Sequence, residues 1–146
     1  MDRAHTKEAC MENAAAAQPA DRGDQMQDQL RTLVRTHHVS LLAQIDKLGQ
    51  MIAGLDAADP ACAEAVAETE GLCHQIKGAG GSIGFADISH AATILDDQLK
   101  SLVALGGTVT AGHIEPAIAL FDDLQRIARD TTPESSTLYN ADLSRR

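Results

Sequence analysis

Aromatic residues are scarce in this chain, which contains two Phe, one Tyr and no Trp among its 146 residues. Apolar residues nevertheless make up 44% of the sequence, so a hydrophobic core must be built from Leu, Ile, Val and Ala. Alanine and leucine favour helices, whereas a β-sandwich normally carries more β-branched and aromatic side chains. The composition therefore favours an all-α protein.

Paired cysteines, basic charge and long apolar runs are also lacking. Cys10, Cys62 and Cys73 form no C-x-x-C pair, so a disulfide framework is not expected. The formal net charge of -9 argues against nucleic-acid and anionic-membrane partners, because both require a basic surface. No stretch reaches the roughly 20 apolar residues of a membrane span, and the N-terminus has no apolar signal segment. We therefore expect a cytoplasmic protein with reduced thiols.

Four segments of the chain repeat apolar residues at the helical spacing of three and four. They predict helices over residues 25–55, over residues 60–80, from a break near Gly84 to residue 106, and from residue 110 or 112 to about residue 130. Because short turns join these segments, we predict an antiparallel up-down-up-down four-helix bundle. The predicted core lines are Leu30, Val34, His38, Leu41, Ile45, Leu48, Ile52 and Leu55; Ala65, Thr69, Leu72, Ile76, Ala79 and Ile83; Ile88, Ala92, Leu95, Leu99 and Leu102; and Ile114, Ile118, Phe121, Leu124 and Ala128.

Both ends of the chain lack a sustained apolar period. We therefore predict a flexible N-terminal tail over residues 1–22, a bundle domain over residues 23–131 and a polar C-terminal tail over residues 132–146. Inside the domain, Asp59 is predicted to cap the second helix, with Pro60 at its first position.

His74 is predicted to point away from the core line of the second helix. At 100° per residue, Glu70, Lys77, Gly78 and Gly81 share its face. Glycine inside a helix costs about 1 kcal/mol relative to alanine, so outward glycines need another reason. Bare backbone beside an imidazole is useful if a bulky partner must approach it closely.

The residue types on this face suit phosphate chemistry. An exposed imidazole is partly neutral at neutral pH, and its free ring nitrogen can attack a phosphoryl group. Lys77, one turn further along, can offset the charge of that group. The sequence has no phosphate-binding loop, nucleophile elbow or zinc motif. We therefore expect the phosphate to arrive on a partner protein.

Residues 74–84, His-Gln-Ile-Lys-Gly-Ala-Gly-Gly-Ser-Ile-Gly, resemble the signature of histidine-containing phosphotransfer (HPt) domains. That signature reads His, any residue, an apolar residue, Lys, Gly, five residues and Gly. The resemblance covers roughly residues 25–130, and it implies a four-helix bundle that is phosphorylated on His74. Lys77 would neutralise charge, and Gly84 would end the helix. Residues 79–82 are richer in glycine than in many members, which predicts a looser last turn.

The resemblance also implies a docking face and its partners. Members often carry an acidic residue on the next helix, and Asp96 falls at the matching spacing. The expected partners are the receiver domain of a response regulator and a hybrid or sensor histidine kinase. The chain would be a phosphoryl carrier rather than an enzyme, without a cofactor of its own, and Mg²⁺ would belong to the receiver. Apart from the resemblance, we expect a monomer, because the bundle uses each amphipathic face. The residues assigned to partner docking are Glu70, Gln75, Gly78, Gly81, Ser82, Gly84 and Asp96.

Two other functions stay open on the residues alone. A non-catalytic bundle could bind and sequester a receiver domain or kinase through the same face. A metal-binding or ligand-binding bundle would need inward-facing Glu-x-x-His pairs, which the sequence lacks. Cys73 points about 100° away from His74, so a shared metal site is not expected, and we predict a partly buried thiol. His38 is predicted at the core edge, and no phosphate or metal role is assigned to His37, His90 and His113.

Overall fold

The computed structural model describes residues 19–141, in which four α-helices carry most of the chain. The helices are α1 (Pro19–Ala53), α2 (Cys62–Ser82), α3 (Ala86–Leu105) and α4 (Ala111–Asp130), with short 3₁₀ turns at Gly106–Thr108 and Pro133–Ser135. Within residues 19–141, none of the helices combines the length and the apolar composition that crossing a bilayer requires.

The four helices pack against one another around one core. α1 contacts α2 and α4, and α3 also contacts α2 and α4. The predicted all-α four-helix bundle is therefore confirmed. On α2, His74 precedes Lys77, whereas on α3 the residue that contacts His74, Asp96, follows the residue that bonds to Lys77, Ser89. These two contacts correspond to α2 and α3 running in opposite directions. For the other neighbouring helices the antiparallel order stays a prediction.

The longest helix, α1, spans 35 residues, or about 52 Å at roughly 1.5 Å per residue. Its described part begins at Pro19, earlier than the predicted start at residue 25. The predicted tail over residues 1–22 is therefore wrong for residues 19–22, and residues 1–18 lie outside the described part. The buried line of α1 matches the prediction at Val34, His38, Leu41, Ile45, Leu48 and Ile52.

The start of α2 differs from the prediction. Asp59 Oδ1 accepts a hydrogen bond from the Ala61 N–H at 2.9 Å, which closes a turn before the helix begins at Cys62. Because the Asp59 side chain satisfies the amide two residues further on, it forms a local turn of the Asx type. The predicted cap at Asp59 and the predicted first position at Pro60 are therefore wrong.

The core face of α2 is rotated from the predicted line. Val66 and Cys73 are completely buried, whereas Leu72 and Ala79 are half-buried. The reason is that α3 packs closely against the side of α2 that carries small residues, and apolar size alone does not reveal that side. Gly80 belongs to this side and is buried.

In α4 the core position falls on Ala117 rather than on the larger Ile118. Ala117 is completely buried, and Ile118 keeps 42% of its surface exposed. The predicted core position at Ile118 is therefore wrong. The helix begins with a reciprocal cap in which Thr110 Oγ1 accepts from the His113 N–H and His113 Nδ1 accepts from the Thr110 N–H.

Gly84 forms the corner between α2 and α3, as predicted. Its φ of 82° lies in the left-handed region, and the Phe85 N–H donates to Gly80 O at 2.8 Å while the Gly84 N–H donates to Gly81 O at 3.3 Å. This pair of bonds is the Schellman ending of a helix. Because these carbonyls are satisfied, the predicted looser last turn is wrong.

Residues 132–141 do not form the predicted polar tail, because they pack onto the bundle. Ser136 is completely buried, and its Oγ donates to Ile83 O while it accepts from the Leu138 and Tyr139 N–H groups. The Thr137 N–H donates to Gly84 O at 3.1 Å. Residues 142–146 lie outside the described part.

The same segment is held on its other side by α1. Arg31 and Arg35 lie over the ring of Tyr139, with guanidinium carbons 5.0 and 5.4 Å from its centroid. Arg35 also donates to Tyr139 Oη at 2.8 Å. Hydrogen bonds and cation–π contacts therefore fix a segment that carries too few apolar residues to show a periodic pattern.

Candidate functional site

His74 lies in the middle of α2 on the outer face of the bundle. Its side chain is 61% exposed, whereas its neighbour Cys73 and the residue two positions on, Ile76, are completely buried. The prediction that His74 points away from the core therefore agrees with its position. Ring exposure of this size leaves room for another molecule at the imidazole.

A buried carboxyl group on α3 contacts this exposed ring. Asp96 Oδ2 lies 3.4 Å from His74 Nδ1, and the Asp96 side chain is completely buried. Its neighbour Asp97 is exposed. The assignment of Asp96 to partner docking is therefore wrong, because its side chain has no surface for a partner to touch. Asp96 instead supports His74 from beneath.

Two lysines approach the same carboxylate oxygen. Lys100 Nζ lies 3.1 Å from Asp96 Oδ2, and Lys77 Nζ lies 3.9 Å from it. The hydrogen bond from Lys100 and the charge of Asp96 raise the pKa of the Lys100 ammonium above its ordinary value. A buried carboxylate is costly unless it is paired, and here cations from both helices surround it.

This contact determines which nitrogen of His74 can react. An ionised carboxylate can only accept hydrogen bonds, so Nδ1 must carry the proton that faces Asp96. Nε2 then keeps its lone pair, as in sites where a carboxylate orients a histidine through its second nitrogen. In the neutral form of the ring, Nε2 is therefore the nitrogen that is available as a nucleophile.

Small residues bring α2 and α3 close together beside this cluster. A Cβ on Gly80 would lie 3.3 Å from Ile88 Cγ2 and 3.4 Å from the Ser89 nitrogen, which is tighter than most real contacts. Ser89 Oγ donates to Lys77 O at 3.0 Å and ties the two helices together. Glycine at position 80 therefore lets the two helices pack closely, which explains how Asp96 can reach beneath His74.

The two outward glycines differ from each other. A Cβ on Gly78 would meet no heavy atom of the described residues within 4 Å, so packing does not require glycine there. A Cβ on Gly81 would lie 3.3 Å from Ser89 Oγ, so this glycine does have a packing use. The sequence prediction that both glycines lack such a use is therefore correct for Gly78 and wrong for Gly81.

The other residues assigned to docking occupy different depths. Gln75, Gly78, Gly81 and Ser82 are exposed along α2, and Glu70 is half-buried one turn before His74. Gly84 is half-buried beneath Ser136 and Thr137. The surface around His74 therefore consists of the exposed residues of α2, and the corner at Gly84 is largely taken by the chain itself.

Cys73 lies beneath the site and is completely buried, not partly buried as predicted. Its Sγ donates to Ala92 O at 3.4 Å. Burial, and to a smaller extent the negative charges of Asp96 and Glu70, raises the pKa of the Cys73 thiol to about 12. A thiol in this environment stays protonated and is a poor nucleophile or metal ligand.

The other described histidines lie apart from this cluster. His38 is buried against Phe85 at a ring distance of 5.2 Å, and its Nε2 lies 3.3 Å from Thr131 Oγ1. The predicted core-edge position of His38 is confirmed. His37, His90 and His113 are exposed. Across residues 19–141, no group of three or more His, Cys, Asp or Glu side chains is arranged to hold a metal ion.

Lys100 is the member of the cluster that the sequence prediction missed. It follows Asp96 by four residues, a spacing at which opposite charges meet on one helix face. Such pairs are common on exposed helices, so the spacing alone does not mark a site. Burial of Asp96 makes this pair unusual.

Comparison of the chain with protein-family models, with curated proteins and with solved structures gave no match. Its function therefore has to be inferred from the geometry around His74.

Proposed function

We propose that this chain is a histidine phosphotransfer protein of a two-component phosphorelay. His74 accepts a phosphoryl group from the aspartate of a receiver domain, or from a kinase, and passes it to a response regulator. The observation that carries the proposal is the exposed His74 ring whose Nδ1 is held by the buried Asp96 carboxylate at 3.4 Å. The resemblance of residues 74–84 to the HPt signature supports the same function.

The transfer step follows from the state of the ring. Nε2 of the neutral His74 attacks the phosphorus of a partner's aspartyl phosphate, and the N–P bond forms as the P–O bond to the aspartate breaks. The bond electrons leave with the aspartate carboxylate. The proton stays on Nδ1, so the phosphorylated ring becomes a cation beside the Asp96 carboxylate. Reversal of the same step returns the phosphoryl group to a receiver aspartate.

The surroundings of His74 suit a carrier. Lys77 is one turn away and lies 3.9 Å from Asp96 Oδ2, so its ammonium is close enough to move to a phosphoryl oxygen. Gly78 adds no side chain to the surface beside the ring, which lets a partner approach closely. Nucleotide chemistry would belong to the kinase, and Mg²⁺ would belong to the receiver domain.

We propose that the chain is a monomer in the cytoplasm. Sensor or hybrid kinases and response regulators exchange phosphoryl groups in that compartment. Its receiver partner would dock on the exposed face of α2, which carries Gln75, Gly78, Gly81 and Ser82. It would act as a carrier without a nucleotide or metal site of its own.

A transfer profile against the receiver domains of the source organism tests the proposal. Each receiver is phosphorylated, supplied with Mg²⁺ and mixed with the chain, and acid-labile phosphate on the chain is counted. We expect rapid labelling by a small subset of receivers. Binding of a receiver without any labelling would replace the proposal with the sequestering function.

A further inference from the structure

Lys100 is better placed than Lys77 to compensate the buried charge of Asp96. The Lys100 Nζ atom is within hydrogen-bond distance of Oδ2 at 3.1 Å, whereas Lys77 Nζ at 3.9 Å is beyond it. Within the described residues, the second oxygen, Oδ1, is buried and has no hydrogen-bond partner. Compensation of the Asp96 charge therefore depends on Oδ2 and on the ammonium bound there.

Loss of that ammonium would change what Asp96 can do. An uncompensated buried carboxylate favours its protonated form, because burial penalises the charge. A protonated carboxyl group can donate a hydrogen bond to His74 Nδ1 instead of accepting one. The ring proton would then lie on Nε2, and the nitrogen that attacks phosphorus would lose its lone pair.

Other charges near this cluster do not replace Lys100. Glu70 on α2 and Asp97 on α3 are acidic, and both favour the charged ammonium of Lys100 rather than ionisation of Asp96. The Cys73 thiol below is neutral because burial raises its pKa to about 12. Lys77 is the other cation near Oδ2, and it stands farther away.

We propose that Lys100 is a positioning residue that keeps Asp96 ionised, and so holds the ring proton of His74 on Nδ1. The two lysines then have separate tasks. Lys100 stays on Asp96 and sets the reactive nitrogen, whereas the loosely held Lys77 is free to bind the transferred phosphoryl group. The importance of this tautomer for transfer rests on the proposed function, but the tautomer itself can be observed without any partner protein.

The ¹⁵N NMR spectrum of the His74 ring tests the proposal directly, at a pH of about 8.5 where an ordinary imidazole is neutral. In the wild-type chain, we expect the proton on Nδ1. Lys100→Met should move a large share of it to Nε2, and Lys100→Arg should restore the wild-type spectrum. Lys77→Met and Lys47→Met, the latter removing an exposed lysine of α1, should leave the proton on Nδ1.

Transfer rates separate this inference from the proposed function. Lys100→Met should slow transfer by about tenfold, the size found when a residue that orients a functional histidine is lost, and Lys100→Arg should recover it. Slow transfer in Lys77→Met with an unchanged ring spectrum would support the division of tasks. If the wild-type chain shows no transfer but its tautomer still follows Lys100, the proposed function fails and the positioning role stands.

Two results would overturn the positioning role. One is a ring proton that stays on Nδ1 in a folded Lys100→Met variant. The other is a proton that moves in Lys77→Met instead. If Lys100→Met does not fold, Lys100→Gln keeps a donor for Oδ2 without the charge, and the ring proton should move in the same direction. An unchanged spectrum in Lys100→Gln would then contradict the proposal.

Discussion

His74 and Asp96 come from neighbouring helices and meet at 3.4 Å, with the imidazole 61% exposed and the carboxyl group completely buried. The contact joins a surface that a partner can reach to an interior charge that solvent cannot reach. Because the buried carboxylate accepts from Nδ1, the exposed ring is held in one orientation and keeps a lone pair on Nε2. In the proposed function, reactivity of the exposed ring would therefore depend on a residue whose side chain is completely buried.

Asp96→Ala should slow phosphoryl transfer by at least about tenfold without abolishing folding, because the ring loses the group that orients it. Asp97→Ala is the matched control, since Asp97 is the adjacent acidic residue and is exposed. Transfer rates with a fixed receiver concentration measure the effect. Equal rates for Asp96→Ala and the wild-type chain would show that Asp96 does not support His74.

Gly78→Ala should raise the free energy of unfolding by up to about 1 kcal/mol, because alanine is the better helix former and its Cβ would meet no described atom within 4 Å. The same variant should weaken binding of the receiver, since the added methyl group lies beside His74. Gly112→Ala on α4, where a Cβ would also have room, is the matched control. Chemical denaturation and a binding titration separate the two effects. Unchanged receiver binding in Gly78→Ala would argue against close approach at this position.

Gly84→Ala should lower the free energy of unfolding by about 2 kcal/mol or more, because a left-handed backbone alone costs an L-residue about 1 to 2 kcal/mol. The Cβ would also lie 2.6 Å from Thr137 Oγ1 and 2.9 Å from the Thr137 nitrogen. Chemical denaturation of Gly84→Ala and of Gly78→Ala compares the stability change at the corner with the change inside α2. Equal stability of the two variants would contradict the packing of residues 132–141 over this corner.

Ser136→Ala should lower the free energy of unfolding by about 1 to 3 kcal/mol, because it leaves the buried Ile83 carbonyl without its Ser136 donor. Ser101→Ala is the control, since Ser101 Oγ makes a similar bond on an exposed helix face. Urea denaturation of both variants gives the comparison. A Ser136→Ala variant as stable as the Ser101→Ala variant would mean that residues 132–141 contribute little.

The free energy of unfolding should fall as the pH rises above about 9. The Cys73 thiol has an ordinary pKa of 9.0, and burial raises its pKa in the fold to about 12. Below pH 9 the thiol is protonated in both states, so its contribution is fully present. Between these values the unfolded chain releases a proton that the folded chain retains, and stability is lost.

Lys100 acts in the same direction at higher pH, because its pKa is raised from 10.5. Cys73→Ala should therefore flatten the pH dependence mainly between pH 9.0 and 10.5. Ser101→Ala, which removes no titratable group, should keep the slope. Denaturation curves across this range provide the test. An identical slope in the wild-type chain and Cys73→Ala would contradict the assignment.

The apolar period was sufficient to predict four helices and most of their core residues. It worked best in α1, where large side chains such as Leu41, Ile45 and Leu48 mark the buried face. It failed where small residues form the contact, because Cys73 and Ala117 carry little apolar signal although they are completely buried. Burial at such positions depends on how closely a neighbouring helix can approach.

The candidate site was predictable on α2 but not across the helices. The spacing from His74 to Lys77 and Gly78 lies within one helix, so the exposed face followed from helical geometry. The depth of Asp96 and its contact with Lys100 depend on how closely α2 and α3 pack at Gly80 and Ser89. Residues 132–141 were missed because polar bonds from Ser136 hold them rather than an apolar pattern.

Location of the phosphoryl group after transfer is the most direct test of the central claim. A phosphorylated receiver with Mg²⁺ is mixed with the chain, and the modified residue is identified by mass spectrometry under conditions that preserve phosphohistidine. We predict one phosphoryl group on His74, none in His74→Gln, and wild-type labelling in His90→Gln, which removes an exposed histidine of α3. Label retained in His74→Gln, or found on a different residue of the wild-type chain, would contradict the account.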